Sequence, residues 1–249
     1  MDRIKKRQTI RKLILLASFS VFPITVIYLA PAPPIMSLRA GVINLSVVVI
    51  VSIFLSGFFF RRFFCGWICP GAGCQLVSGA LNNKPVERRM TNWVQIIMVV
   101  VWVLVLISTF IIYGSASIEL GHPGSGRFAT SEIRYFLPYI PVVLFMFGFV
   151  LLFGRNGFCH RGCWINPIIS ASTYIGRRLR FPSLHVAVHR HEDCEECSEC
   201  NQVCPMSIDV RNIIEKRGFF PHNCVQCGAC VDFCPDGFLK FRLSSEQFS

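Results

Sequence analysis

Eight cysteines near the C-terminus stand in two copies of one phrase, Cys194-x2-Cys197-x2-Cys200-x3-Cys204-Pro205 and Cys224-x2-Cys227-x2-Cys230-x3-Cys234-Pro235. Thiolates at this spacing wrap a [4Fe–4S] cube, and in tandem runs the fourth cysteine of each run ligates the other run's cluster. One cluster is therefore expected on Cys194, Cys197, Cys200 and Cys234, and the second on Cys224, Cys227, Cys230 and Cys204. A pair of structural zinc sites is the competing chemistry for C-x2-C motifs. Zinc knuckles do not usually repeat the third cysteine and the trailing Cys-Pro, so the spacing favours clusters and one-electron transfer.

Two further pairs occur upstream, in Phe64-Cys65-Gly66-Trp67-Ile68-Cys69-Pro70 and Phe158-Cys159-His160-Arg161-Gly162-Cys163-Trp164. At helical spacing, residues i and i+4 share a face. Four apposed thiols (Cys65, Cys69, Cys159, Cys163) could hold a further iron–sulfur centre or a metal ion, cycle between thiol and disulfide, or simply pack. Recurrence of the pair in both halves favours redox or metal chemistry, and Cys74 is a fifth thiol nearby. His185, His189 and His191 precede the first cluster run and read as solvated linker residues.

The elements that must position these groups are strongly apolar. Hydrophobic residues make up 53% of the 249-residue chain and charged residues only 16%, with a mean hydropathy of +0.51. Four runs, Leu13–Ala30, Val42–Phe60, Trp93–Tyr113 and Phe136–Phe153, hold no Asp, Glu, Lys, Arg or His. Each matches the length of about 20 residues that a spanning helix requires. Pro23, Pro138 and Pro141 are expected to kink these helices. Lys and Arg gather before the first run, after the second and after the fourth, which by the positive-inside rule places both termini in the cytoplasm. On the same reading Arg61 and Arg62 are topology signals, Trp67 and Trp164 interface anchors.

The expected fold is thus an all-α four-helix transmembrane bundle of two pseudo-repeated helix pairs, followed by an α+β bacterial-type 2[4Fe–4S] ferredoxin domain. Composition turns polar and cysteine-rich after Phe181-Pro182, setting domains at 1–183 and 184–249. Each half reads as a helix pair, a Phe-Cys-x3-Cys motif and a short apolar stretch, Gln75–Leu81 or Ile168–Ile175.

Several function classes are excluded. Thirteen cysteines in C-x2-C and C-x3-C runs do not read as a secreted disulfide scaffold. A net charge of +11 is explained by basic residues beside apolar runs and not by nucleic-acid binding. No C-x-x-C-H motif and no histidine within the runs means that no haem is expected. The runs also lack the acids and bases of a proton pump.

Taken together, the four runs, the two Cys-x3-Cys motifs and the C-terminal double-cluster phrase resemble the NapH-type membrane subunits of periplasmic nitrate reductase systems. The wider group includes the NosR membrane domain and CcoG-like copper reductases. That resemblance implies a multi-pass protein of the prokaryotic inner membrane that draws electrons from the quinone pool and passes them to an iron–sulfur or haem partner. Its Cys-x3-Cys-Pro motif matches Cys65–Pro70, whereas Trp164 stands where the second copy should have proline. Two other functions remain open: copper reduction at Cys65, Cys69, Cys159 and Cys163, or a membrane anchor and electron wire without a substrate of its own.

Overall fold

The computed structural model describes residues 2–86, 93–114, 117–118, 139–189, 199–216, 220–234 and 237–245. Pro138 lies outside them, as do Cys194, Cys197 and His191.

Of the four expected spans, only the third forms a helix of spanning length among the described residues. Among the described residues one helix, α7 (Trp93–Tyr113), is long and apolar enough to cross a membrane. The first run is divided between α1 (Asp2–Ser20) and α2 (Phe22–Leu29), with Pro23 in the first turn of α2. Proline is tolerated there and nowhere deeper, because it has no N–H to give to the preceding turn. A third short helix, α3 (Ala32–Arg39), follows at once.

In the second run the chain makes a two-residue strand, β1 (Val42–Ile43), before α4 (Leu45–Phe60). Asn44 sets the start of α4, its side chain accepting a hydrogen bond from Val47 N at 3.2 Å. Arg61, at φ 52°, ends it. α4 has 16 residues and α8 (Tyr139–Phe153) has 15. At 1.5 Å per residue such helices reach roughly 24 Å, short of a hydrocarbon core of about 30 Å. The all-α four-helix bundle is therefore replaced by one long apolar helix amid short ones. Apolar composition was continuous along the runs; helix geometry was not.

Two equivalent units carry what does repeat. Helix α5 (Phe63–Trp67) holds Cys65 and leads into α6 (Pro70–Ser78), while α9 (Gly157–Arg161) holds Cys159 and leads into α10 (Ile165–Arg178). The turns match bond for bond. Cys69 N donates to Phe64 O and Cys163 N to Phe158 O, each at 2.9 Å. Trp164 in place of proline leaves this turn unchanged, because its own N–H is not needed to close it.

Helices α4 and α10 pack together, as do α1 and α6. The C-terminal part is closed by an antiparallel pair, β3 (Ser183–Val188) with β4 (Leu239–Ser244), in register from Ser183 opposite Ser244 to Val188 opposite Leu239. Between these strands lie α11 (Glu199–Gln202), α12 (Val210–Glu215) and α13 (Ala229–Asp232). A second two-stranded pair joins β1 to β2 (Ser117–Ile118) in parallel.

Helix α1 is docked on this C-terminal part. Arg7 pairs with Asp232 and stacks over the Phe241 ring at 5.1 Å. Gln8 Nε2 donates to Cys227 O at 3.1 Å, and Arg11 Nη1 donates to Gly66 O at 3.3 Å. Basic residues read from sequence as topology signals are here structural contacts.

Candidate functional site

Cys204, Cys224, Cys227 and Cys230 line one cavity, walled by Val186, Met206, Ile208, Val210, Phe220 and Val225. All four thiols are buried. Their closeness is visible in their electrostatics: burial and the neighbouring thiols of Cys224, Cys227, Cys204 and Cys200 push Cys230 well above the ordinary thiol range. Burial, then Cys227, pushes Cys224 up to about 12. Four thiols so placed resist ionising in an apolar pocket, and a bound cation removes that resistance by taking the place of the protons.

The loop that carries three of them is shaped for close approach. Gly228 sits at φ +72°, and a Cβ there would press on the Phe241 ring at 2.9 Å. Ile208 N donates to Cys204 Sγ at 3.4 Å, an amide–sulfur bond of the kind that raises a cluster's potential. The donor set and the apolar walls fit a [4Fe–4S] cluster. Of the other expected ligand set, Cys200 is buried and Cys234 half-buried, while Cys194 and Cys197 lie outside the described residues.

The upstream pairs also come together. Burial raises Cys69, followed by the charges of Cys65, Cys163 and Cys159. Burial, then Cys65, raises Cys163 to about 11, and Cys159 is raised by burial and then by Cys163 and Cys65. Gln75 clamps the two halves: its Nε2 donates to Cys159 Sγ at 2.7 Å and its Oε1 accepts from Cys159 N at 3.2 Å. Asn166 Nδ2 donates to Cys159 O at 3.1 Å. Cys74 is not part of this group; fully buried against Phe22 and Met146, it is a packing cysteine.

The two cysteine sets share one continuous core that contains Cys65 and Cys159 as well as Cys204, Cys224, Cys227 and Cys230. Gly66 makes the contact possible, since a Cβ there would collide with Val225 O. Trp67 Nε1 donates to Gln226 O at 3.1 Å, and Trp164 Nε1 to Leu29 O at 3.1 Å. Both indole N–H groups are thus held by backbone carbonyls. His185, expected to be solvated linker, is 2% exposed in β3 with Nδ1 2.8 Å from Ser183 O. His189 is exposed.

Sequence reasoning missed Gln75 and Gln95 and read Arg62 as a topology signal. Arg62 is 1% exposed, and its Nε and Nη1 find no hydrogen-bond partner among the described residues. Gln95, on the long apolar helix, is equally buried and its Nε2 is unpartnered among those residues. The signal available for both glutamines was a lone amide within an apolar stretch, which must find a partner or bind one.

Comparisons with known proteins agree with this chemistry. The family model described as a 4Fe-4S dicluster domain matches residues 180–245, and one described as a 4Fe-4S binding domain matches residues 42–82. The chain is similar to the ferredoxin-type protein NapH of Haemophilus influenzae, 26% identical over 190 residues, covering 72% of this chain and 62% of that one. Against the ferredoxin-type protein NapH of Escherichia coli it is 25% identical over 182 residues, 71% of this chain and 60% of that one. A putative electron transport protein of Escherichia coli, YccM, is 25% identical over 219 residues, 79% of this chain and 54% of its own length. The chain therefore spans about three fifths of the NapH relatives it matches. No solved structure matches it.

Proposed function

The chain is a ferredoxin-type iron–sulfur protein of the NapH kind, and from that premise we propose that it oxidises quinol and delivers the electrons to an iron–sulfur or haem partner. The observation that carries the electron-transfer half is the buried cavity lined by Cys204, Cys224, Cys227 and Cys230. In this reading those four residues hold one [4Fe–4S] cluster, and Cys194, Cys197, Cys200 and Cys234 hold the other. Bound there, a cluster supplies one-electron exchange at a potential set by charge, burial and amide hydrogen bonds. The protein's own part is to exclude water with Val186, Phe220 and Val225 and to present Ile208 N to a ligand sulfur.

Support for quinol comes from a slot between α7 and α10, with Ile96, Val99 and Val100 on its apolar wall and Gln95, Asn166 and Ser170 as its polar groups. An apolar slot with a few polar groups is what a quinone head requires. Gln95 Nε2, buried and unpartnered, is the donor available to a quinone carbonyl oxygen. The slot also reaches His222, two positions before Cys224. α7 serves as the membrane anchor: only 6% of its most apolar window is buried in the protein, so its sides suit lipid.

The test is anaerobic addition of a menaquinol analogue to the purified full chain, with cluster reduction followed by EPR. Reduction is expected, and Gln95→Leu should raise the quinol KM by about tenfold, the loss of one hydrogen bond to a buried oxygen. Clusters that dithionite reduces but quinol does not, while a soluble redox protein does, would leave an electron wire and end the quinol assignment.

A further inference from the structure

Among the described residues Arg62 is the largest fully buried side chain, and no carboxylate is among its partners there. Its charge reaches Cys159, Cys163 and Cys224 alike. It is therefore near Cys159 and Cys163 of the upstream set and near Cys224 of the C-terminal cavity. A guanidinium buried with two nitrogens lacking partners is strongly unfavourable unless an anion stands beside it. The position calls for negative charge beside it.

We infer that Cys65, Cys69, Cys159 and Cys163 are the ligands of a third iron–sulfur centre, and that Arg62 is the counter-cation shared between it and the centre on Cys204, Cys224, Cys227 and Cys230. Four thiolates around iron and sulfide give a centre of net negative charge, which supplies the missing partner for Arg62. The family match over residues 42–82 reaches only Cys65 and Cys69 of this set; the structure packs Cys159 and Cys163 of the other half into the same core as Cys65, with Gln75 of the first half on Cys159 Sγ.

A tetrahedral zinc or copper ion holds its sulfurs about 2.3 Å away, so the four sulfurs crowd together. Among the described residues no three His, Cys, Asp or Glu are close enough to hold one ion, and this is as true of Cys204, Cys224, Cys227 and Cys230 as of the upstream four. Gln75, donating to Cys159 Sγ, provides the sulfur hydrogen bond that Ile208 N provides in the other site.

This inference rests on the iron–sulfur reading above, and its failure is distinguishable from failure of that reading. The purified full chain is analysed anaerobically for iron, zinc, copper and acid-labile sulfide, alone and as Cys65→Ser and Cys159→Ser, with the EPR signals of the C-terminal clusters as the control for folding. Expected are iron and sulfide beyond the two C-terminal clusters in the unaltered protein, and loss of that excess alone in each variant. An unaltered protein holding only about 8 irons, or zinc or copper in place of the excess, overturns the third centre while leaving the C-terminal reading intact. No iron at all overturns both.

Arg62 acts here as a positioning residue, so its readout is a potential. Removing a cation disfavours the added electron, and Arg62→Gln should shift the one-electron reduction equilibrium at both flanking centres about tenfold toward the oxidised form, about 59 mV. Arg62→Lys should restore most of the shift. Unchanged potentials in a folded, iron-loaded Arg62→Gln protein would overturn the role given to Arg62.

Discussion

The cysteines at the C-terminus and those upstream reach the same kind of arrangement by different means. At the C-terminus three of the four thiols that line the cavity come from one stretch, Cys224 to Cys230, so loop geometry positions them and Gly228 at φ +72° makes the loop possible. Upstream the four thiols arrive as two pairs on the separate turns around α5 and α9, held together across the halves by Gln75. A local motif is recognisable in sequence because its neighbours in space are neighbours in the chain. A site assembled by packing is not, since the residues that complete it lie about ninety positions apart.

The sharpest way to break the comparison is at the C-terminal site. Cys227→Ser removes a ligand from a buried four-thiol cavity, and because cluster binding is part of folding there, iron should fall by about 4 per chain with loss of the corresponding EPR signal. If the upstream excess iron were lost equally, the two sites would not be independent in the way their separate anchoring requires.

A smaller effect is expected where the regions touch. Gly66→Val places a side chain against Val225 O, an overpacking that should cost about 1–3 kcal/mol. It should appear as a lower unfolding midpoint in a thermal melt, with Cys224, Cys227 and Cys230 still able to load iron. An unchanged midpoint would mean that α5 and the 224–228 loop do not meet.

Smallest is the contact of α1 with Asp232. A double-mutant cycle on Arg7→Ala and Asp232→Asn, read by chemical denaturation, should give a coupling of about 0.5–1 kcal/mol. The Arg7 side chain is 34% exposed, so the pair should weaken as salt is raised. A coupling of zero would assign the docking of α1 to Gln8 and Arg11 alone.

The sequence disclosed the site chemistry better than the fold. The four thiols that line the C-terminal cavity are among the eight that the spacing singles out. The Cys-x3-Cys turns were legible as a repeat, and Cys69 N and Cys163 N close them identically in spite of Trp164. Three of the four spans were misread because hydropathy measures composition and not continuity of the backbone: Pro23 restarts one run, Asn44 caps another, and the fourth yields 15 helical residues among those described, whereas Trp93–Tyr113 forms as expected. Arg62 was misread for a related reason. An arginine beside an apolar run looks the same in sequence whether it faces headgroups or is buried against thiols, and only packing distinguishes the two.

The most direct test of the account is the iron and acid-labile sulfide content of the unaltered full chain, purified without oxygen and quantified against its protein concentration. Two comparable cysteine sites predict a clear excess over the about 8 irons that two [4Fe–4S] clusters contain, with sulfide rising in step. A content that stops at about 8 would contradict it, leaving the upstream cysteines as thiols and the C-terminal cysteines as the only place where this protein holds iron.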